Sequence, residues 1–99
     1  MFWKAFPLVA LLAMPVAAQA SLRDNAAYDD CMLQTLRESR NGDVTNLIRQ
    51  SCDAIYRNGA MLLPRDRRYH ECILQSLPGV RDEAAVEQIV SICRRRGGL

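Results

Sequence analysis

The stretch YDDCMLQTL at residues 28–36 recurs 41 positions later as YHECILQSL at residues 69–77. Each copy contains one cysteine, and a second cysteine follows 21 positions after it. The two resulting pairs are Cys31 with Cys52 and Cys72 with Cys93. Between the tyrosine and the second cysteine the copies are identical at eight positions. Self-similarity at a fixed period indicates one supersecondary unit used twice.

Each copy begins with residues that recur at helical spacing. Positions i, i+3, i+4, i+7 and i+8 share one face of an α-helix. These faces hold Tyr28, Cys31, Met32, Thr35 and Leu36 in the first copy, and Tyr69, Cys72, Ile73, Ser76 and Leu77 in the second. Breaks follow at Asn41-Gly42 and Pro78-Gly79, because glycine favours a left-handed helix C-cap and proline cannot continue a helix.

A second helix is predicted after each break. Asp43 and Asp82 are the predicted N-caps, since their carboxylates can accept hydrogen bonds from the first backbone N–H groups. The apolar stripes that follow are Val44, Leu47, Ile48, Ser51, Cys52 and Ile55, and Val86, Ile89, Val90 and Cys93. We therefore predict an all-α fold of two tandem disulfide-stapled helical hairpins packed as a small four-helix domain. The repeats span about residues 26–58 and 66–96.

The cysteine positions predict the disulfide pairing. In an antiparallel hairpin, residues equidistant from the turn lie opposite each other, and each cysteine pair is centred on a turn. A disulfide needs Cα atoms about 4.4–6.8 Å apart, which packed helices reach. The favoured pairing is thus Cys31–Cys52 with Cys72–Cys93. The alternative is the nested pairing of Cys31 with Cys93 and Cys52 with Cys72.

The first twenty residues have the pattern of a secretory signal peptide. A positive start at Met1–Lys4 precedes the apolar run Phe6–Ala18, and Ala18-Gln19-Ala20 offers small residues to signal peptidase. The alternative is a membrane anchor, but the run is shorter than the ~20 residues that cross a bilayer. We predict cleavage after Ala20, a single domain over residues 21–99, and a periplasmic or secreted location, where cysteines are oxidised.

Patterns typical of metal sites and enzymes are missing from the sequence. Structural zinc sites use close pairs such as C-x2-C, whereas these cysteines lie 21 positions apart within a pair. The single histidine, His70, falls on the polar face of its helix and is interpreted as a solvated surface residue. We therefore expect no enzyme activity, no metal and no cofactor. After removal of the signal, twelve arginines nearly balance eleven acids, which argues against nucleic-acid binding.

Polar residues repeated between the copies are candidates for contact with a protein partner in the cell envelope. The matched pairs are Gln34 with Gln75 and Arg40 with Arg81. The alternative is that the glutamines brace the hairpin turns and the arginines are solvated.

Two basic clusters and an apolar connector lie near the ends of the second repeat. Arg94, Arg95 and Arg96 are candidates for contact with an anionic envelope surface or an acidic partner, although cations also suit a helix C-terminus. Arg65, Arg67 and Arg68 form the second cluster. The connector Ala60–Pro64 is predicted to pack against the bundle, with a partner site as the alternative. The final Gly97-Gly98 suggests a frayed end.

The repeated pattern resembles an uncharacterised family of small exported bacterial four-cysteine proteins. The resemblance covers residues 28–96 and rests on Tyr-x-x-Cys-x-Leu-Gln, Pro78-Gly79-Val80, Ala84-Ala85 and Ile89-x-x-x-Cys93-Arg94. The first copy differs in having Asn41-Gly42 at its turn. The resemblance implies fold and compartment but no activity. We predict a non-enzymatic exported protein-interaction module; the alternative is an envelope- or membrane-surface-binding domain that uses the arginine clusters.

Overall fold

A computed structural model describes the backbone of residues 16–99 and the side chains from residue 25 onward. The described chain forms four α-helices: α1 (Val16–Leu36), α2 (Gly42–Tyr56), α3 (Pro64–Ser76) and α4 (Glu83–Gly97). A 3-10 helix, Gly59–Met61, lies between α2 and α3. The all-α prediction is confirmed. Most of the predicted signal peptide, residues 1–15, lies outside the described residues.

The helices pack in chain order, α1 on α2, α2 on α3 and α3 on α4. The inner helices α2 and α3 therefore join the two hairpins. Their shared core consists of Cys31, Val44, Ile48, Cys52, Cys72, Ile73, Leu77, Val86 and Cys93. Four of these nine residues are the cysteines themselves, and Ile48 and Ile73 lie within about one turn of a cysteine. None of the helices in the described range is long and apolar enough to span a membrane.

Both predicted disulfides are present. The Cα atoms of Cys31 and Cys52 are 5.9 Å apart, and those of Cys72 and Cys93 are 5.4 Å apart. Each bond ties an outer helix to the inner helix that it packs against, α1 to α2 and α4 to α3. The consecutive pairing is confirmed over the nested alternative.

The first turn differs from the prediction. Asn41, not Asp43, caps α2, because its side-chain oxygen accepts hydrogen bonds from the backbone N–H groups of Asp43 (2.7 Å) and Val44 (3.3 Å). Asn and Asp are comparably good N-caps, and the helix begins directly after the earlier of the two, Asn41. Gly42 is consequently the first residue of α2 rather than a left-handed cap of α1.

The second turn is as predicted. The side chain of Asp82 caps α4 by accepting a hydrogen bond from the Ala85 N–H at 3.0 Å. Gly79 adopts a φ of +87°, a left-handed conformation that suits glycine.

Gly97 is packed against α3, whereas the sequence suggests a frayed end at Gly97-Gly98. Gly97 is buried, and a Cβ built on it would lie 2.7 Å from the backbone carbonyl oxygen of Arg65 and 3.1 Å from Cβ of Tyr69. Gly98, with a φ of +81°, ends the helix. The N–H groups of Gly98 and Leu99 donate to the carbonyls of Arg95 and Arg94. The end of α4 is thereby fixed against the first turns of α3.

We expect Gly97→Ala to lower the free energy of unfolding by about 1–3 kcal/mol, the usual cost of overpacking. The added methyl group would meet backbone, which cannot rotate away as a side-chain tip can. Urea denaturation measures the change. Gly42→Ala is the matched control, since nothing lies within 4 Å of its Cβ position and alanine favours the helix. Equal stability of Gly97→Ala and the native protein would contradict this close contact.

Candidate interaction surfaces

A groove of about 750 Å³ lies between α2 and α4. Both helices pack on α3, which leaves a channel between them. Leu47, Val86 and Val90 form the apolar floor of this channel. Its polar walls consist of Asp43, Asn46, Gln50, Glu83, Glu87, Ser91 and Arg94. We call this feature the α2–α4 groove.

The two ends of the α2–α4 groove differ in charge. Asp43, Glu83 and Glu87 lie where α2 and α4 begin, and Arg94 lies toward the end of α4. A side-chain hydrogen bond with Asp43, together with the negative charges of Asp43 and Glu87, raises the pKa of Glu83. A carboxyl group whose pKa rises in this way is crowded by like charge. This end of the groove therefore attracts cations.

The matched glutamines meet at a second, smaller cleft. Gln34 on α1 and Gln75 on α3 both line a cleft of about 350 Å³, together with Tyr56 at the end of α2. The two copies of the repeat place equivalent positions on either side of α2, which brings these exposed side chains together. Among the sequence candidates, this is the matched pair that shares one cavity.

The matched arginines lie at the turns instead. The Arg40 guanidinium donates to the backbone carbonyls of Arg37 (3.4 Å) and Ser39 (3.3 Å) within its own turn. The side-chain amide of Asn41 donates to the backbone carbonyl of Arg81 at 3.2 Å. The two turns therefore touch at one end of the domain, while the side chains of Arg40 and Arg81 remain exposed.

His70 is not a solvated surface residue, so this prediction is wrong. Nδ1 of His70 lies 2.8 Å from Oγ of Ser51, which is 1 % exposed on α2. The half-buried imidazole also meets the ring of Tyr69 edge-on, with centroids 4.9 Å apart. The contact joins α3 to α2 and thus one hairpin to the other.

We expect acidification to destabilise the protein through His70. Burial lowers the pKa of His70 below its ordinary value, with Asp66 acting in the opposite direction. The unfolded chain then binds the proton more readily, so the stabilisation is complete above the ordinary pKa of about 6.5 and is lost as the pH falls below it. Thermal melts from neutral to mildly acidic pH should show this loss. In His70→Gln, which keeps a hydrogen-bonding side chain, the decline should be shallower; parallel declines would contradict the role of His70.

The two predicted arginine clusters lie at the same end of the domain. Contact of Gly97 with the Arg65 carbonyl and with Tyr69 places the end of α4 beside the start of α3. Arg65 and Arg68 are exposed there, as are Arg94, Arg95 and Arg96.

The connector between the hairpins is largely exposed, which corrects the prediction that it packs against the bundle. Met61 is 87 % exposed and Leu63 is 52 % exposed, while Leu62 is half-buried. The 3-10 turn at Gly59–Met61 directs only part of this short segment toward the helices. Met61 and Leu63 are left beside the arginines that open α3.

The two disulfide-bonded helical hairpins define a small all-α four-cysteine protein. The family model of the four-cysteine protein VF_A0006-like family matches residues 8–97. The chain belongs to this uncharacterised family, as the repeated Tyr-x-x-Cys pattern predicted. The comparison with curated proteins found no match, and the comparison with solved structures found none either. The disulfides are consistent with an oxidising location outside the cytoplasm.

Proposed function

We propose that this protein is an exported, non-enzymatic interaction module that binds a protein partner in the α2–α4 groove. The groove itself is the observation that supports this function most directly. Its apolar floor is held between helices that the two disulfides tie to the rest of the domain. A surface held in one shape binds without a large cost for ordering it.

The chemistry of the α2–α4 groove specifies the partner. Apolar side chains of a bound segment would cover Leu47, Val86 and Val90. A lysine or arginine of the same segment would meet the crowded carboxylates of Asp43 and Glu83. An amphipathic helix with a basic residue at one end has this pattern, and helix-in-groove binding is a common mode of peptide recognition.

Site-specific photo-crosslinking in the producing cell tests the proposal. A photoreactive residue at Gln50, inside the groove, should capture a partner through a segment that is apolar and basic. The same residue at Arg49, which is exposed on α2 but does not line the groove, should not. Capture at both positions, or through an acidic segment, would contradict the proposal.

The second test reverses charges in the α2–α4 groove and measures binding of the captured partner. Glu83→Lys combined with Glu87→Lys should weaken binding by roughly tenfold or more, because close like charges cost several kcal/mol across an interface. Glu71→Lys combined with Asp29→Lys is the matched control, since both acids are exposed and lie outside the groove. Equal weakening by the control would place the binding site elsewhere.

Export is tested separately by N-terminal sequencing of the protein recovered from the producing cell. The proposal expects the mature chain to start at Ser21, after the Ala18-Gln19-Ala20 pattern. A retained Met1 would contradict export.

A further inference from the structure

We infer that a second surface of this protein docks on membranes with anionic lipid headgroups. This surface, the basic end, consists of the exposed arginines of residues 65–68 and 94–96 with Met61, Leu63 and Leu99. It is separate from the α2–α4 groove except at Arg94 and goes beyond the protein-binding function proposed above.

The packing of α4 on α3 assembles the basic end from distant parts of the chain. Gly97 is the point of close approach, because only a glycine brings the α4 backbone this near to the Arg65 carbonyl. The hydrogen bond from the Leu99 N–H to the Arg94 carbonyl at 2.9 Å then fixes the last residue beside the cluster. The arginines therefore form one surface in the folded protein.

The helix dipoles favour only one of the two arginine clusters on this surface. Arg94, Arg95 and Arg96 lie in the last turn of α4, where cations are favourable. The arginines of residues 65–68 lie in the first turns of α3, where the helix dipole disfavours positive charge. Asp66 is the single acid of that first turn. The arginines at the start of α3 are thus disfavoured both by the helix dipole and by the neighbouring cluster on α4. An external anion that binds there would offset this repulsion.

Exposed apolar side chains flank these cations along the chain. Met61 and Leu63 precede Arg65, and Leu99 follows the second cluster; they are 87 %, 52 % and 53 % exposed. They are three of the five large apolar residues exposed on the described chain. A soluble polyanion would satisfy the arginines but leave these side chains in water. A lipid surface satisfies both, because headgroups meet the cations while apolar side chains enter the acyl boundary.

Vesicle co-sedimentation tests the inference with the protein in the form that the producing cell makes. Vesicles of phosphatidylcholine mixed with phosphatidylglycerol should bind it at low salt, and pure phosphatidylcholine vesicles should not. High salt should weaken the binding, since ions screen exposed charges. Binding to neither vesicle, or equal binding to both, would overturn the inference.

Two arginine variants with the same charge loss locate the site. The triple change Arg65→Gln, Arg68→Gln and Arg95→Gln should reduce partitioning roughly tenfold or more, given the attraction of each surface cation to anionic lipid. The control changes Arg37, Arg40 and Arg81 to Gln at the opposite end, where the two hairpin turns touch, and should bind nearly as the native protein does. All six side chains are exposed, and melting curves check that both variants fold. Equal losses would mean that net charge, not the basic end, binds the vesicles.

Met61→Ser combined with Leu63→Ser separates a membrane from a soluble polyanion. The pair should lose vesicle binding severalfold, because each buried methylene contributes to interfacial binding. Unchanged vesicle binding would show that the arginines alone hold the headgroups, and it would overturn the assignment of this surface to a lipid rather than to a soluble polyanion. Glu83→Lys with Glu87→Lys leaves the basic end intact, so failure of lipid docking and failure of the α2–α4 groove give different results.

Discussion

Replacing Cys31 and Cys52 together by serine is expected to lower the free energy of unfolding by about 2–5 kcal/mol. The nine buried apolar residues of the core include all four cysteines, so each disulfide is both a crosslink and core packing. α1 packs chiefly on α2. Without the bond, α1 would depend on contacts such as the Arg57 guanidinium, which lies 3.8 Å from the ring centroid of Tyr28.

Thermal melts by circular dichroism measure this loss. The serine variant and the native protein in reductant should both melt well below the oxidised native protein. A chelator should leave the native melt unchanged, because the sulfur atoms bond to each other and not to a metal. Replacing Cys72 and Cys93 together by serine is the matched change in the second hairpin, where it removes the bond between α4 and α3. A native melt that a chelator lowers and a reductant does not would contradict the disulfide account.

Ile73→Ala is expected to cost about 2–5 kcal/mol, the range for truncating a large buried aliphatic side chain. The α2–α3 contact carries no disulfide, so the two hairpins are joined by packing and by hydrogen bonds such as the one between Ser51 and His70. Ile73 is fully buried on α3, in the same cluster as Ile48 on α2. The cavity left by alanine would therefore weaken the α2–α3 contact, which is the one main helix contact without a disulfide.

Urea denaturation compares this variant with Leu33→Ala, which truncates a side chain that is 60 % exposed on α1. The exposed control should change stability by no more than about 0.5 kcal/mol. A similarly small effect of Ile73→Ala would mean that the hairpins are stabilised separately rather than through their shared core.

The elements that the sequence predicted correctly are those determined by neighbours within about one repeat. The helical spacing around Cys72, the Asp82 cap and the equal cysteine spacing all depend on local geometry. The predicted cap of α2, Asp43, lies two residues after the observed cap, Asn41, because both offer similar side-chain oxygens and only the folded turn selects between them.

The features that the sequence could not predict depend on contacts between hairpins. His70 falls on the polar face of α3 by periodicity, and its buried partner Ser51 comes from α2. The close approach at Gly97 requires the backbone of Arg65, which lies 32 positions earlier. The α2–α4 groove is likewise formed by helices that are not neighbours in the chain. Helical periodicity does not report how separate helices meet.

The consecutive pairing of the cysteines also affects how the protein oxidises. In a chain that leaves the cytoplasm with its N-terminus first, Cys31 meets Cys52 before Cys72 and Cys93 have emerged. The earliest bond that forms is then already the native one, and the second pair repeats this without competition. In the nested pairing, Cys31 would have to stay unpaired until Cys93 emerged, although Cys52 would already be accessible as a wrong partner. In a chain exported as proposed above, the tandem repeat would therefore let each native disulfide form as its own hairpin emerges, before a wrong cysteine is available.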